Sequence, residues 1–238
     1  MNNAFLITST IGKDYGVFSL EERFNQLLET IISINEYCSD SDIFLFDTSK
    51  NELEQDKLEK LENLCSLHFV RNDPLINQAN NVKERYVDSN EPWNYTENKT
   101  VSEIRIMQLF LDYIKKQDKK YNRIFKITGR YKLNDNFNLA DHMLNKNKAV
   151  FISNKDYCGV DSMNTRFWSF DYSMLNIIIQ MINRVCIATL VELNKTNTFS
   201  IIEVSFFKEI ISLKIPFIYI KTLGIEGKFA LSGNEINE

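Results

Sequence analysis

Apolar and polar positions alternate in blocks along the first half of the chain, and each block has the period of a strand or a helix. Short apolar, β-favouring runs predict strands over 5–10, 42–47, 66–70 and 124–127. Apolar residues at helical spacing predict amphipathic helices between them, over 20–34, 51–65 and 101–117. This alternation predicts an α/β fold with a mostly parallel central sheet and helices on both of its faces.

The second half of the chain is less regular. Its pattern predicts strands over 149–153, 165–170 and 217–220, and helices over 172–193 and 201–213. The polar connection 74–98 is expected to be a long loop, of the kind that acts as a lid or is partly disordered. No repeat, low-complexity tract or linker divides the sequence, so residues 1–238 are predicted to form a single domain.

Three segments match the capping box, in which Ser or Thr begins a helix and Glu follows three residues later. They pair Ser19 with Glu22, Thr100 with Glu103, and Ser200 with Glu203. The match offers each glutamate a structural role that competes with any role in catalysis or binding.

Composition is that of a soluble globular protein, with 44% hydrophobic and 25% charged residues. The balance of 28 Lys and Arg against 32 Asp and Glu is mildly acidic, which argues against nucleic acid as a partner. The four cysteines lie far apart without a CxxC pair, so reduced thiols in a cytoplasmic protein are expected.

No secretory signal is expected at the start of the chain, because the apolar run there is short and has no basic residues before it. The apolar segment 172–193 contains Asn176, Gln180, Arg184 and Glu192. These polar residues favour a core helix, or a seam between two copies, over a membrane span. The sequence leaves the oligomeric state open.

Polar chemistry concentrates at the end of the predicted strand 124–127. Lys126, Thr128, Gly129, Arg130 and Tyr131 crowd its carboxyl end. Ligands of open α/β sheets bind at that end of the strands, and the glycine permits a tight exit or a close approach of a ligand. Two cations, a hydroxyl and a phenol favour an anionic ligand such as a nucleoside diphosphate. Basic residues that are simply solvated are the alternative.

Several familiar motifs are absent, namely GxGxxG, GxxxxGK[ST], GxSxG and HExxH. With only His68 and His142, a histidine-based triad is not expected. His68 lies in a predicted strand and is interpreted as a core or surface residue. His142 is either a metal ligand or base, or a solvated helix residue.

A DxD pair of carboxylates is able to hold a divalent cation against a diphosphate. The one present, Asp40-Ser-Asp42, precedes a strand and is predicted to serve turn and cap chemistry. After strand 124–127 the chain has Gly129-Arg130-Tyr131, whose cation would neutralise a leaving diphosphate directly. A metal-independent site is therefore predicted, with Mn²⁺ or Mg²⁺ as the alternative.

Further candidates come from both halves of the chain. Glu203 is a candidate base for an acceptor hydroxyl, and Asp161 and Asp135 are its rivals. Arg23, on the first predicted helix, either reaches the phosphates or base of a ligand or pairs with a surface carboxylate. Asp47 ends the second predicted strand, where an acid either holds a ribose or base edge or caps a turn.

Taken together, the pattern resembles the GT-A-type glycosyltransferases, in particular small bacterial and viral enzymes of polysaccharide synthesis. The matching donor-side segments are Thr8-Ser9-Thr10, the helix with Arg23-Phe-Asn-Gln26, Asp47, Lys99-x-x-x-Glu103 and Phe125-Lys-Ile-Thr-Gly-Arg-Tyr131. Thr165-Arg-Phe-Trp168 and Leu223-Gly-Ile-Glu-Gly227 are similar in placement to acceptor-side elements. The chain departs from the family in lacking a DxD motif after the fourth strand.

The resemblance implies a GT-A-like fold and sugar transfer from a nucleotide-sugar donor to a hydroxyl of a glycan or lipid-linked saccharide. It also implies that the chain has a nucleotide-binding half at about 1–135 and an acceptor half at about 136–238. It implies donor contacts from Thr8, Ser9, Thr10, Arg23, Asp47, Lys99, Lys126, Gly129, Arg130 and Tyr131. Acceptor contacts would come from Arg166 and Trp168, and catalysis from Glu203 or Asp161. Tyr131 and Trp168 would stack on base or sugar rings.

Two other functions compete with an inverting hexosyltransferase. A sugar-nucleotide nucleotidyltransferase would need a glycine-rich phosphate loop after the first strand, of which Gly12-Lys13 is a thin version. A degenerate transferase fold that binds a glycan or a partner without catalysis is the other.

Overall fold

The strands and helices of the first half follow the predicted order. The computed structural model describes residues 2–12, 17–81, 96–152, 161–196, 201–228 and 233–238. Its first elements are β1 (Asn3–Ser9), α1 (Leu20–Tyr37), β2 (Ser41–Asp47), α2 (Gln55–Glu62), β3 (Ser66–Phe69), α3 (Pro74–Asn81), α4 (Thr96–Lys116) and β4 (Arg123–Thr128). The second half contains β5 (Tyr131–Leu133), α5 (Leu139–Met143), β6 (Ala149–Phe151), β7 (Phe167–Asp171), α6 (Leu175–Thr196), α7 (Ile202–Ser212), β8 (Phe217–Tyr219), β9 (Ile225–Lys228) and β10 (Glu235–Asn237).

The main sheet has seven described strands in the order β3-β2-β1-β4-β7-β6-β8. Strands β1 to β4 are mutually parallel, and β8 is parallel to β6. Only β7 runs against its neighbours β4 and β6 among these seven strands. The prediction of a single-domain α/β fold with a mostly parallel sheet is therefore confirmed.

A second sheet of three strands lies beside α1 and has the order β10-β9-β5. The sequence pattern did not predict β5 or β10, which are three residues long and are not continuous apolar runs. Gly227 of β9 lies opposite Tyr131 of β5, and a Cβ there would lie 2.3 Å from the backbone oxygen of Arg130. The close pairing of these two strands therefore requires glycine at position 227.

Apolar side chains fill both faces of the main sheet. On one face, α1 packs Phe24, Leu27 and Ile31 against the alternate residues of β1 and β4 that include Phe5 and Phe125. The other face is covered by α4, α6 and α7. The stretch Tyr172–Glu192, which includes most of α6, is the one described helix long and apolar enough to cross a membrane. Its inner residues belong to this second core, as expected for a core helix.

Two helix starts differ from the prediction. The capping box of Ser19 and Glu22 is present, with both reciprocal hydrogen bonds. The box predicted at Thr100 is wrong, because α4 already begins at Thr96 and Thr100 lies inside the helix. At α7, the N-cap is Ile201 and no side chain caps the helix there, whereas Ser200 lies outside the described residues.

The polar connection predicted over 74–98 contains regular structure at both of its ends. Residues 74–81 form α3, with Pro74 at the first position, where its missing N–H is not needed. Asp73 accepts hydrogen bonds from the backbone N–H groups of Leu75 and Ile76, and its carboxylate pairs with Arg105 of α4. Residues 82–95 lie outside the described part of the chain.

His142 is buried near the amino end of β4, so the alternative of a solvated helix residue is wrong. Arg123 donates from Nε to Ser169 Oγ (2.6 Å), which leaves the Ser169 hydroxyl free to donate to His142 Nδ1 (2.8 Å). Burial, assisted by the nearby Arg123 charge, lowers the pKa of His142 to about 3. The imidazole is therefore neutral at neutral pH.

This burial makes a prediction about acid stability. Between the ordinary pKa near 6.5 and about 3, the unfolded chain binds a proton at His142 that the folded chain does not. The free energy of unfolding should therefore fall with decreasing pH by up to about 1.4 kcal/mol per pH unit from this group. In His142→Asn, which keeps an acceptor for Ser169, urea unfolding across this range should show a shallower slope. An unchanged slope would contradict the neutral, buried state.

Candidate active site

The candidate site begins where β1 and β4 end side by side. Because β2 and β3 extend the sheet from one side of β1 while β4 lies on the other, this is the topological switch point at which open α/β sheets bind ligands. The Gly129 N–H donates to the Thr8 carbonyl (2.9 Å). A Cβ on Gly129 would come within 2.9 Å of the Leu27 side chain, so glycine allows the chain to leave β4 closely against α1.

Asp47 fixes the loops on the β2 side of this switch point. Its carboxylate is fully buried and accepts hydrogen bonds from the backbone N–H of Ile11 (3.1 Å) and of Ser49 (2.7 Å). Next to it, the hydroxyls of Thr10 and Thr48 lie 2.6 Å apart. Of the two roles that the sequence left open for Asp47, these contacts show the capping role, and contact with a ribose stays a prediction.

Lys126 lies in the floor of the site, on the face of β4 that α4 covers. Its ammonium forms an ion pair with Glu103 of α4 and donates to Thr128 Oγ1 (3.0 Å) and to the Thr165 carbonyl (2.7 Å). Burial lowers the pKa of Lys126, and the Glu103 carboxylate acts in the opposite direction. Because these three contacts use all its protons, Lys126 would have to break one of them to contact a diphosphate.

Glu203 reaches the same place from the first turn of α7. Thr165 Oγ1 lies 3.4 Å from Glu203 Oε1, and the backbone N–H of Met163 donates to the Glu203 carbonyl (3.2 Å). The Glu203 charge also raises the pKa of Lys126, which places the carboxylate near that ammonium. A carboxylate in the first turn of a helix interacts favourably with the helix dipole, and a carboxylate is a suitable general base.

Arg130 lies at the rim of the site and is partly exposed. Its guanidinium lies over the ring of Tyr131, 5.3 Å from the centroid, and its charge lowers the pKa of Lys126. Tyr131 itself is fully buried in the core beside α1. The prediction that Tyr131 stacks on a base or sugar is therefore corrected: its ring supports Arg130 from below.

The two acceptor-side candidates have different surroundings from those expected. Arg166 NH1 forms an ion pair with Glu238 (2.7 Å), and Asn164 Nδ2 donates to the second oxygen of the same carboxylate (3.0 Å). Trp168 is only 2% exposed and stacks on Phe151 with 5.2 Å between ring centroids. The stacking role predicted for Trp168 is corrected, since this indole is a core residue.

The remaining candidates lie farther out or have contacts of their own. Arg23 donates from Nε to the carbonyl of Phe18 within its own helix start (3.1 Å). Lys99 belongs to the first turns of α4, one turn before Glu103. Asp161 is exposed and close enough to Tyr219 for its charge to raise the pKa of that phenol. Asp135 accepts a hydrogen bond from Tyr37, the last residue of α1 (2.6 Å).

Comparison with known proteins finds distant structural likenesses only. No protein-family model and no curated protein matches the sequence. The chain is similar to a glycosyltransferase involved in the glycosylation of the major capsid of PBCV-1, with 11% identity, a TM-score of 0.48 and coverage of 92% of this chain and 81% of that one. It is also similar to the glycosyltransferase GlyE of Streptococcus pneumoniae TIGR4, with 8% identity and a TM-score of 0.48, but it spans only 45% of GlyE. Likenesses this distant assign no reaction to this chain.

The described residues do not fit a metal centre. No group of three or more His, Cys, Asp or Glu side chains within the described ranges is arranged to hold a metal ion. The carboxylate of Asp42, from the DxD spacing, lies at the opposite edge of the sheet and pairs with Lys119 and the Tyr121 hydroxyl. The residues that follow β4 are Gly129 and Arg130, so we assign no step to Mn²⁺ or Mg²⁺.

Sequence reasoning missed the part played by Glu103 and Thr165. Glu103 matched a capping box, a local pattern that accounted for the residue without reference to β4. Its spacing from Lys99 was noted as part of the family resemblance, and this was the only signal that Glu103 belongs to the site. Thr165 was named only as the first residue of the acceptor-side segment Thr165-Arg-Phe-Trp168, because its carbonyl and hydroxyl meet Lys126 and Glu203 only after folding.

Proposed function

We propose that this chain transfers a sugar from a nucleoside-diphosphate sugar to a hydroxyl of a glycan or lipid-linked saccharide, with inversion and without a metal ion. The observation that carries the proposal is the arrangement of charge at the end of β4. The guanidinium of Arg130 lies at the rim, and the carboxylate of Glu203 lies on the α7 side of the buried Lys126–Glu103 pair. A cation for the leaving group and a base for the acceptor are the two groups that this reaction needs.

The reaction is a single displacement. The acceptor oxygen bonds to the anomeric carbon as the bond from that carbon to the diphosphate oxygen breaks, and the diphosphate leaves with the electron pair. Glu203 takes the proton of the acceptor hydroxyl during the attack. Arg130, at the rim of the site, stabilises the charge that develops on the diphosphate.

Lys126 and Glu103 act as positioning residues beneath these groups. The Lys126 ammonium holds Thr128 at the end of β4 and Thr165 at the start of β7 (3.0 and 2.7 Å). Thr165 in turn contacts Glu203. The buried pair therefore ties the strand that leads to Arg130 to the residue that orients the base.

The acidic balance of the chain and its free thiols suit cytoplasmic nucleotide-sugar chemistry. Cys38, Cys65 and Cys186 are free cysteines among the described residues. Burial raises the pKa of Cys38 and Cys65 to about 12, which makes them unreactive structural thiols. We place the reaction in the cytoplasm, where such thiols stay reduced.

Arg130→Ala should weaken the binding of the nucleotide sugar by about 10- to 100-fold, since a hydrogen bond to a charged group contributes roughly 1.5–3 kcal/mol. The affinity is measured from thermal shifts with UDP, GDP, CDP and dTDP and with their sugar derivatives. Each compound is tested once with EDTA and once with Mn²⁺. The wild type at a ligand concentration about 100 times Kd should gain roughly 2.7 kcal/mol, or a few degrees. The affinity of Arg130→Lys for the nucleotide sugar should lie between those of the wild type and Arg130→Ala.

Arg184→Ala is the matched control, because this arginine pairs with Glu209 on the outer helices (2.7 Å). It should leave the nucleotide shift unchanged. Persistence of the wild-type shift in EDTA would support the metal-free site. If no nucleotide shifts the folded wild type, the non-catalytic alternative replaces this proposal. Release of pyrophosphate from a nucleoside triphosphate and a sugar phosphate would instead favour a nucleotidyltransferase. Of its candidate phosphate loop, residues 11–16, only Ile11 and Gly12 are among the described residues.

A further inference from the structure

A cleft of about 510 Å³ lies between the amino-terminal half of α1 and the three-stranded sheet. One wall of the cleft is formed by residues of α1, which include Glu22, Gln26 and Glu29. The opposite wall is formed by residues of β9 and β10. Arg130 lies in its wall and so belongs both to this cleft and to the candidate active site. The volume is typical of small-ligand sites, which measure roughly 300–1,000 Å³.

The charges of the cleft nearly cancel. Its carboxylates are Glu22, Glu29, Glu226 and Glu235, and its cations are Arg130, Lys132 and Lys228. Lys132 lies between the helix and the sheet, 3.7 Å from Glu29 and 3.2 Å from Glu226. Such mixed charge does not favour a polyanion, which the carboxylates would repel, or a polycation, which the cations would repel.

The uncharged groups indicate what the cleft is able to bind. Asn25, Gln26 and Asn237 present amides, each of which both donates and accepts hydrogen bonds. Phe18 adds a half-buried aromatic ring at one end. Amides of this kind match the many hydroxyls of a sugar, and the aromatic ring matches the apolar face of a sugar ring.

We infer that this cleft binds a neutral oligosaccharide, whose end reaches the active site along Arg130. That the oligosaccharide is the acceptor rests on the proposed function, whereas its binding to the cleft does not. The cleft would then select acceptors that already carry several sugar units, since their inner units contact α1 and β10 while the terminal unit meets the donor.

The test uses maltohexaose, cellohexaose, mannohexaose and chitohexaose as probes, with saturation-transfer NMR and calorimetry on the full chain. At least one should bind the wild type without nucleotide. Asn25→Ala/Gln26→Ala removes two hydrogen-bonding side chains and should weaken that binding at least about tenfold. Asn35→Ala is the matched control, because Asn35 is an exposed amide of α1 that does not line the cleft. It should bind as the wild type does.

With an oligosaccharide acceptor, the double variant should also raise the acceptor KM by the same factor while the donor KM stays constant. The inference is overturned if none of the four hexasaccharides binds, or if the double variant binds as tightly as the wild type. Oligosaccharide binding without any nucleotide-dependent thermal shift would support the binding role of the cleft and contradict the proposed sugar transfer. A nucleotide-dependent thermal shift without oligosaccharide binding would contradict the role of the cleft and leave the proposed transfer supported.

Discussion

Glu203→Gln is expected to lower the rate constant of sugar transfer by about 10²- to 10⁴-fold, the usual contribution of a general base. The amide keeps the shape of the carboxylate and its contact with Thr165, but it does not accept a proton. Donor binding should remain, because the nucleotide contacts lie toward Arg130. Single-turnover transfer to the acceptor measures the rate, and the nucleotide-dependent thermal shift measures donor binding.

Asp161→Asn is the comparison that decides between the two candidate bases. Asp161 is exposed, and its charge adds to the effect of burial in raising the pKa of Tyr219. Glu203, in contrast, contacts Thr165 and lies near the Lys126 ammonium. We expect Asp161→Asn to retain nearly full activity. If Asp161→Asn instead loses the activity and Glu203→Gln keeps it, the assignment of the base is wrong.

The largest effect on stability is expected for Glu103→Ala, which leaves the Lys126 ammonium without its carboxylate partner. The side chains of Lys126 and Glu103 are only 3% and 14% exposed. Breaking a buried ion pair from one side costs about 3–5 kcal/mol, because the remaining charge is uncompensated. The nearby Glu203 carboxylate, whose charge also raises the pKa of Lys126, compensates for only part of this loss. Urea unfolding should show the loss, with a fall in Tm on the order of 10 °C.

Two further variants distinguish the loss of the buried Lys126–Glu103 ion pair from the loss of any ion pair. Glu103→Gln/Lys126→Met removes both charges and should recover much of the lost free energy of unfolding, since no buried charge remains. Glu52→Gln disrupts the pair with Arg71 (3.1 Å), in which the glutamate is 85% exposed, and should cost at most about 1 kcal/mol. A loss of similar size in Glu103→Ala and Glu52→Gln would contradict the buried pair.

The double variant also tests the positioning role. Lys126→Met removes the donors that hold Thr128 and the Thr165 carbonyl, so a stable double variant should still transfer sugar slowly. Restored stability together with lowered turnover is the expected combination. Restored stability with full turnover would show that the pair serves only the fold.

Most of the main sheet was predictable because the signals are local. β1, β2 and β4 are short apolar runs, and their carboxyl ends were predicted as the ligand-binding edge. The antiparallel direction of β7 and the short strands of the second sheet were not predictable, because strand pairing depends on residues far apart in sequence, such as Tyr131 with Gly227.

The candidate site divides in the same way. The cluster at the end of β4 was visible in the sequence, since its members are neighbours along the chain. Which of them face the site was not visible, because a strand buried on both faces hides the alternation that distinguishes inside from outside. This is why Trp168 was expected to stack on a ligand and instead lies in the core, whereas Tyr131 is buried at the start of β5, a strand that the sequence pattern did not predict.

By itself, the sequence determined the α/β class, the order of most elements and the strand end that carries the chemistry, because periodicity and turn residues act over a few neighbours. Tertiary structure alone decided that Glu103 neutralises Lys126, that Thr165 contacts Glu203, and that Arg130 joins the site to a cleft beside α1. The first two relations link residues that are 23 and 38 positions apart in the sequence, and the third involves the second sheet. The physical reason is that charge pairing and burial depend on distance in space, which only the folded chain establishes.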